Sequence, residues 1–184
     1  NHPDVSLVTT DGFLYSNDEL EKRGLTERKG FPESYNLQAL LTLLEDIKSG
    51  SENVKAPVYS HHYYDVLPDK TITINKPDIV IIEGLKILQT GSTSYGQASR
   101  LFVSDYLDFS VFVDAPTSTI EQWFVDRVWS FCQGSFKEPD AYFHAFSKMT
   151  HEEVIKLAHR IWDDINEVNL VENILPFRER AHLI

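Results

Sequence analysis

The sequence predicts an α/β protein with a mostly parallel sheet flanked by helices. Apolar, strand-like runs alternate with amphipathic helical segments along the chain. The run at 77–88 contains four consecutive β-branched residues, which is typical of a parallel strand buried on both faces. Three of the apolar runs end in an acidic residue, at the edge where α/β folds hold their functional side chains.

The first half of the chain supplies the first strand and the first long helix. Residues 5–10 predict a buried strand followed by a turn that contains glycine. Residues 33–50 predict an amphipathic helix, because the leucines keep helical spacing and Gly50 stops it. Residues 56–67 are predicted to be extended and aromatic, and residues 70–74 alternate like a short strand.

The second half repeats the plan of strand, acidic residue and turn at 107–116. Residues 90–99 are predicted to form a flexible loop, and a last long helix is predicted to begin at the capping box Thr150…Glu153. The helix that follows residue 116 is predicted to bury its large apolar residues, Ile120, Trp123, Phe124, Val128 and Phe131. No linker is evident, so residues 1–184 are expected to belong to a single domain.

Composition excludes several classes of protein. Apolar residues make up 42% and charged residues 24%, the balance of an ordinary globular protein. The net charge of −11 argues against a nucleic-acid binder, which needs a basic face. Cys132 is the only cysteine, so we expect neither a disulfide framework nor a thiolate zinc site, and a cytoplasmic location. No apolar run reaches the length of about 18 to 20 residues that crosses a membrane.

Acidic residues at three predicted strand ends are the first candidates for chemistry. Asp11, Glu83 and Asp114 each follow an apolar run. The carboxyl ends of parallel strands lie on one edge of a sheet, so these acids are expected to surround one cleft. Such acids can hold magnesium or accept a proton from a substrate hydroxyl. Any one of them alone is as readily a cap of the following turn, but the three together favour a phosphate or metal site.

Two polar residues lie close to predicted apolar helix faces. Arg127 shares a face with Trp123 and Phe124, where a guanidinium needs a buried acid or an anionic ligand. The pattern alone favours a structural salt bridge slightly over a functional role. Asn166 lies beside the apolar stripe of the last helix, and a buried amide must be hydrogen-bonded to backbone or to a ligand.

Other polar residues are less specific. Lys29 lies in the polar segment ERKGFPESY, where a lysine usually faces water. Tyr59, His61 and Tyr64 alternate imperfectly in the aromatic segment. His61 and its neighbour His62 would point to opposite faces of a strand, which makes them a poor chelating pair.

Several well-known motifs are missing from the 184 residues. The chain contains no G-x-x-x-x-G-K-[ST] phosphate loop, no G-x-G-x-x-G, no G-x-S-x-G, no H-E-x-x-H and no C-x-x-C. The residue pattern by itself therefore indicates an α/β protein with an acidic cleft that handles hydroxyl or phosphate groups.

A set of short motifs goes further. The chain resembles the bacterial type I pantothenate kinases in the order and spacing of TTDGF, KGFPESY, APVYSHHYYDV, PDIVIIEGL, VDAP, DAYFH, INEVNL and ILPFRERA, over nearly all of its length. VDAP alone is a weak signal, but KGFPESY and ILPxRERA separate this family from the uridine kinases and phosphoribulokinases, which share its fold. The resemblance implies a P-loop NTPase-like sheet. In the family, the first strand, the phosphate loop and its lysine precede the part that resembles residue 1 onward, so we expect a fragment.

The resemblance also implies an activity and roles for individual residues. The family transfers the γ-phosphoryl group of ATP, with Mg²⁺, to the primary hydroxyl of pantothenate, the first step of coenzyme A synthesis. Asp11 would orient and deprotonate that hydroxyl, Arg127 would stabilise the transferring phosphoryl group, and Glu83 would lie near magnesium. Pantothenate would be bound by Tyr59, His61, Phe124, Tyr142 and Asn166. Coenzyme A, as feedback inhibitor, would contact Lys29, His61 and Phe131.

Alternatives remain beside this interpretation. Phe124 stands where better-known members of the family have a tyrosine. The hydroxyl that helps to bind pantothenate and the inhibitor is therefore absent, and both contacts are altered. The fragment is expected to be inactive unless a phosphate loop is supplied, and a homodimer is expected. A related small-molecule kinase resembling uridine kinase is the second hypothesis. A non-catalytic remnant that binds pantothenate or coenzyme A is the third.

Overall fold

The α/β class is confirmed by the computed structural model, which describes residues 2–90 and 101–184. Most of the predicted flexible loop at 90–99 lies outside the described residues. The strands are β1 (Val5–Thr9), β2 (Val54–Ser60), β3 (Asp65–Ile74) and β4 (Ile79–Glu83). The α-helices are α1 (Asn17–Lys22), α2 (Leu37–Lys48), α3 (Thr117–Gln133), α4 (His151–Ile161) and α5 (Glu167–Asn169). None of the helices in these ranges is long and apolar enough to cross a membrane.

The four strands form two pairs. β1 and β4 are parallel, in a register that runs from Val5 opposite Ile79 to Thr9 opposite Glu83. β2 and β3 form an antiparallel hairpin with a register shift between Pro57 and Val58. Because β1 and β4 end side by side, the residues that follow them meet at one edge.

A core beneath the two strand pairs holds this edge in place. It is built from buried residues of β1, the hairpin and α2, including Val8, Ala56, Ile74, Leu40 and Leu44. The helix predicted for 33–50 is confirmed but begins at Leu37, because Pro32–Ser34 forms a separate 3-10 turn. The Asn36 side chain caps α2 by accepting a hydrogen bond from the Ala39 amide at 3.1 Å.

Residues 5–10 are expected to form a buried strand, and residues 77–88 a strand buried on both faces; both expectations are wrong for one face of the β1–β4 pair. Leu7 of β1 and Ile79 and Ile81 of β4 are exposed, and Ile81 keeps 50% of its accessible surface. Val8, on the other face of β1, is fully buried against the core. Alternate side chains of a strand point to opposite faces, and only one face of this pair is covered by described residues.

The strand predicted within 107–116 is not formed. Val111 makes an isolated bridge with Leu183, and the Phe112 amide donates to the Leu183 carbonyl at 2.8 Å. Val113 keeps 86% of its accessible surface. A strand needs a hydrogen-bonded neighbour, and this segment is separated from β4 by a groove of about 950 Å³.

The burial predicted for α3 is only partly correct. Val125 and Cys132 are its buried residues, whereas Trp123 keeps 58% of its surface and Phe131 is exposed. One side of α3 packs against α4 and against residues 135–148, which include Phe136, Phe143 and Phe146. The other side is not covered by described residues, which is why two large apolar side chains remain at the surface.

The capping box predicted at the last helix is confirmed. Thr150 Oγ1 accepts from the Glu153 amide at 3.3 Å, and the Thr150 amide donates to Glu153 Oε2 at 2.8 Å. Beyond α4 the chain continues through π-helical turns at Trp162–Asn166 and Leu170–Ile174. Such turns are frequent at functional sites, and the first of them contains Asn166.

Candidate active site

A 3-10 turn directly after β1 places Asp11 at the end of the parallel strand pair. The turn, Thr10–Phe13, lies beside the Gly84 backbone that follows β4. A Cβ atom on Gly84 would lie 1.7 Å from Thr10 Oγ1, so only glycine allows this approach. Thr10 is fully buried, and its hydroxyl has no hydrogen bond of ordinary geometry among the described residues.

Tyr35 connects two of the predicted acids. Its hydroxyl donates to Asp11 Oδ1 at 3.5 Å. The pKa of Tyr35 is raised well above its usual range, first by burial and then by the negative charges of Asp11 and Glu83. Tyr35 therefore remains a hydrogen-bond donor. Asp11 and Glu83 lie at one edge as predicted, because β1 and β4 are paired up to Thr9 and Glu83, and Gly84 lies against Thr10.

Lys29 does not face water, contrary to the sequence prediction. Its Nζ donates to Asn17 Oδ1 at 2.6 Å and to the Tyr64 carbonyl at 2.5 Å, and lies 4.2 Å from the centre of the Tyr64 ring. Burial lowers the pKa of Lys29 to about 8, although Asp65 and Asp11 partly offset the effect. The sequence shows a polar segment here, but the tyrosines that cover it come from the distant hairpin.

Aromatic residues form a wall beside Lys29 and Asp11. Ring centres are 6.2 Å apart between Tyr59 and Tyr64, and 5.3 Å apart between Tyr64 and Tyr142. Burial raises the pKa of Tyr59 and of Tyr64, and the charge of Asp11 contributes to both shifts. These phenols stay protonated, so the wall offers hydroxyl groups near a carboxylate and an ammonium.

The two histidines lie in a turn and not on a strand, so the prediction that they point to opposite strand faces is wrong. β2 ends at Ser60, and Tyr64 has a φ of +53°, which reverses the chain before β3. His61 is exposed, with its ring centre 5.2 Å from that of Tyr59. His62 points instead towards Glu138 and Asp140.

Arg127 and Asn166 belong to a second group on α3 and the π-helical turn. The Phe124 ring lies 6.0 Å from the Trp162 ring, and the Arg127 guanidinium lies 5.9 Å from the Phe124 ring. The predicted burial of Arg127 is wrong, because its side of α3 is open. Within the described part of the chain no acid forms an ion pair with Arg127. Asn166 is half-buried.

Two further predicted residues have structural partners. Asp114 accepts from Arg178 Nη2 at 2.7 Å, so this acid is neutralised by the first arginine of the ILPFRERA motif. Asp114 and Glu83 nevertheless line the same groove between β4 and residues 107–114. The Phe131 ring is 5.4 Å from the Phe136 ring. Phe136 in turn contacts Phe143, whose ring lies 4.7 Å from that of Tyr64.

Sequence reasoning missed three residues that organise the site. Thr10 and Tyr35 lie within the motifs TTDGF and KGFPESY, but only their burial reveals their role. Asn169 is also buried, and its Nδ2 donates to the Gly30 carbonyl at 3.0 Å. This bond ties the π-helical region to the loop that carries Lys29.

Oxygen ligands dominate the edge at the ends of β1 and β4. The carboxylates of Asp11 and Glu83 both raise the pKa of Tyr35. The buried oxygen Thr10 Oγ1, beside Gly84, is still able to accept a hydrogen bond or bind a cation. Magnesium prefers oxygen ligands supplied by few carboxylates together with water and phosphate. The donor set fits Mg²⁺, and a carboxylate with a bound phenol beside it can also take a proton from a hydroxyl.

A sequence profile decides the family. The profile of the Phosphoribulokinase / Uridine kinase family matches residues 5–127, which is more than half of the chain. The chain belongs to this family. The matched region of this Phosphoribulokinase / Uridine kinase family member contains both strand pairs and most of α3.

Curated relatives confirm the resemblance found in the motifs. A pantothenate kinase of Coxiella burnetii is 54% identical over 184 residues, which is 100% of this chain and 58% of that protein. A pantothenate kinase of Parvibaculum lavamentivorans is 52% identical over 184 residues, which is 56% of its length. The chain thus spans somewhat more than half the length of these relatives.

Solved structures share the fold. A candidate fructose transport system kinase from Silicibacter sp. TM1040 has a TM-score of 0.62 at 21% identity, covering 98% of this chain and 72% of that one. YFH7 from Saccharomyces cerevisiae, a candidate P-loop kinase with a circular permutation, has a TM-score of 0.60 at 18% identity, covering 92% of this chain and 55% of that one. At such identities the likeness concerns the architecture alone.

Proposed function

We propose that this chain carries the pantothenate-binding part of an ATP-dependent pantothenate kinase, and that residues 1–184 belong to one kinase domain. The observation that carries the proposal is the meeting of Asp11, Tyr35 and Lys29 at the edge where β1 and β4 end. Support also comes from the 54% identity to a pantothenate kinase along the whole chain.

Asp11 is the residue to which we assign the proton transfer. The primary hydroxyl of pantothenate hydrogen-bonds to the Asp11 carboxylate and gives up its proton as its oxygen bonds to the γ-phosphorus of ATP. The bond between that phosphorus and the β–γ bridging oxygen breaks, and ADP leaves. The Tyr35 hydroxyl donates to Asp11 Oδ1 and orients the carboxylate. Positioning and charge neutralisation supply most of the catalysis in such reactions.

Charge neutralisation is assigned to Glu83 and Arg127. Glu83, with the Thr10 hydroxyl nearby, would hold Mg²⁺, which neutralises phosphate charge when bound. Arg127 is free of acidic partners among the described residues, so its guanidinium is available to an anionic group. These roles follow the family pattern and agree with the chemistry of the residues present.

The aromatic wall supports the assignment of the substrate. Pantothenate combines hydroxyl, amide and carboxylate groups along a short chain, which requires hydrogen-bond donors and one cation. Tyr59, His61 and Tyr142, with Asn166 and the Phe124 ring on the α3 side, are assigned to pantothenate. Lys29, with His61 and Phe131, is assigned to coenzyme A as feedback inhibitor. We further propose that the complete protein is a homodimer.

The groove between β4 and residues 107–114 is the position that we assign to the phosphate-binding segment. β4 pairs with β1 along one edge, and its other edge faces the groove. Exposed apolar residues such as Ile81 and Val113 line this groove. One further parallel strand in this groove would complete the sheet and end beside Glu83. The curated relatives contain additional sequence that could supply that strand.

Substrate binding to the 184-residue chain tests the proposal. Calorimetric titration should show saturable binding of pantothenate and none of uridine. Tyr59→Phe should weaken pantothenate binding about fivefold, the effect of losing one hydrogen bond of about 1 kcal/mol. Tyr63→Phe removes a hydroxyl from the exposed turn that follows β2 and should leave pantothenate binding unchanged. Preferential binding of uridine would favour a uridine kinase-like enzyme, and binding of neither ligand would contradict the proposal.

A further inference from the structure

A histidine and two carboxylates meet away from the candidate active site. His62 lies in the turn between β2 and β3, and Glu138 and Asp140 lie in the loop after α3. One ligand atom from each of the three side chains lies within 4.8 Å of the other two. The kinase chemistry proposed above uses none of these residues.

We propose that His62, Glu138 and Asp140 form a binding site for a divalent transition metal of the Zn²⁺ type. Imidazole nitrogen and carboxylate oxygen are both ordinary ligands of Zn²⁺, and three protein ligands leave a fourth position for water. The sequence contains no thiolate alternative, because Cys132 is its only cysteine and is buried.

The distances fit this proposal. His62 Nε2 lies 3.1 Å from Asp140 Oδ1, close to the spacing of about 3.3 Å between two ligands in tetrahedral zinc geometry. Glu138 Oε2 lies 3.7 Å from His62 Nδ1. The Glu138 side chain is 66% exposed, so its carboxylate is free to turn from Nδ1 towards a metal held between His62 Nε2 and Asp140 Oδ1.

The surrounding contacts hold the ligands in place. The Tyr63 hydroxyl donates to Asp140 Oδ2 at 3.4 Å, which leaves Oδ1 directed at the imidazole. The Tyr142 amide donates to the His62 carbonyl at 3.0 Å, which joins the turn to the loop. Supporting hydrogen bonds to ligating side chains are typical of metal sites.

A metal at this site would join two segments that line the aromatic wall. The turn ends at Tyr64, and the loop continues to Tyr142, whose ring lies 5.3 Å from that of Tyr64. Metal binding should therefore stabilise the packing of the hairpin against the loop and raise the melting temperature. This effect does not depend on the identity of the kinase substrate.

Zinc titration of the 184-residue chain tests the site. Isothermal calorimetry with ZnCl₂ should show one saturable site, and His62→Gln and Asp140→Asn should each weaken it about tenfold or more. All three side chains are at least 24% exposed, so these changes leave the core intact. The zinc-dependent rise in melting temperature should disappear in the same variants.

His159 provides a matched control. Its Nδ1 lies 2.8 Å from Glu121 Oε1, so it is a histidine with a single carboxylate partner. His159→Gln should bind zinc like the parent chain. The proposal is overturned if the parent shows no saturable site, if His62→Gln and Asp140→Asn bind zinc like the parent, or if His159→Gln loses the site equally.

Discussion

At the scale of single residues, the site depends on charges held close to one buried and two half-buried tyrosines. Asp11 is half-buried, and the phenols of Tyr35, Tyr59 and Tyr64 around it all keep their protons because burial raises their pKa. These phenols are neutral donors, and the Tyr35 hydroxyl donates to Asp11 Oδ1 at 3.5 Å. This is the environment that a group accepting a proton from an alcohol requires.

Removal of the Asp11 carboxylate should lower kcat strongly. In the chain completed with the unmatched parts of the Coxiella relative, Asp11→Ala should lower kcat about a hundredfold to ten-thousandfold, while ATP binding stays nearly unchanged. Steady-state kinetics and nucleotide titration measure the two effects. Asp69→Ala, an exposed acid on β3, serves as control. A kcat within threefold of the parent would make Asp11 a residue that only shapes the turn.

Arg127→Ala separates a structural from a functional arginine. A buried ion-pair partner would cost roughly 3 to 5 kcal/mol of stability on removal. Arg127 is exposed and has no acidic partner among the described residues, so its removal should leave the melting temperature unchanged and depress kcat in the completed chain. Arg160→Ala, on the exposed side of α4, should alter neither quantity. A large fall in melting temperature with unchanged kcat would refute the assignment.

Lys86 makes the stability of the protein depend on pH. It is 7% exposed, donates to Gln89 Oε1 at 2.9 Å, and burial lowers its pKa from 10.5 to about 8. Between these values the unfolded chain still binds a proton that the folded protein has released. Stability therefore rises with pH in this window.

The contribution of Lys86 can be measured by difference. From pH 8 to pH 10 the parent should gain about 2 kcal/mol of stability relative to Lys86→Met, and below pH 8 the difference should be constant. Urea unfolding at several pH values provides the data. Lys48→Met, which alters an exposed lysine paired with Asp108, serves as the control variant. Parallel curves for the parent and Lys86→Met would contradict the account.

At the scale of elements, the close approach of the β1 and β4 ends is what sets the site. Asp11 follows β1 and Glu83 ends β4, and the two strand ends touch at Thr10 and Gly84. The Gly84 backbone has a φ of +152°, a conformation that disfavours other residues. The distance between the two acids therefore depends on the absence of a side chain at residue 84.

Gly84→Ala should destabilise the protein by about 3 kcal/mol or more, because its Cβ would overlap Thr10 Oγ1. Chemical unfolding measures the loss. Thr10→Gly removes the overlapping atoms, so the double variant should lose less stability than the sum of the two single losses. Strict additivity would show that the two residues do not contact each other as described.

The elements that the sequence predicts well are those whose signals lie within one short segment of the chain. The α2 helix, the Thr150 capping box and the strand near residues 70–74 are confirmed, because periodicity and caps are written in short segments. The burial of Trp123, Phe131, Arg127 and Ile81 was predicted wrongly. Their exposure depends on which distant segments cover each face, and no local pattern encodes that.

The candidate site follows the same rule. Asp11 and Glu83 could be predicted to meet, because parallel strands end at one edge. The roles of Tyr35, Lys29 and Asn169 could not, because they arise from hydrogen bonds between segments far apart in sequence. The family motifs contain all three residues without giving these contacts.

At the scale of the whole molecule, the candidate active site lies beside an open apolar groove. The groove is lined by Ile79, Ile81, Val111 and Val113, and its end carries Glu83 and Asp114. Exposed apolar patches of this kind mark surfaces that another segment or partner covers. In our proposal the covering segment carries the phosphate-binding loop, so the groove joins the two halves of a kinase site.

ADP release is the most direct test of this account. The 184-residue chain, which contains no phosphate-loop motif, should show no pantothenate-dependent release of ADP from ATP in a coupled assay. The same chain completed with the unmatched parts of the Coxiella relative should turn over at about 1 per second or more with pantothenate, as kinases typically do. Uridine should not replace pantothenate. A completed chain that folds and binds ATP but releases no ADP with pantothenate would contradict the central claim.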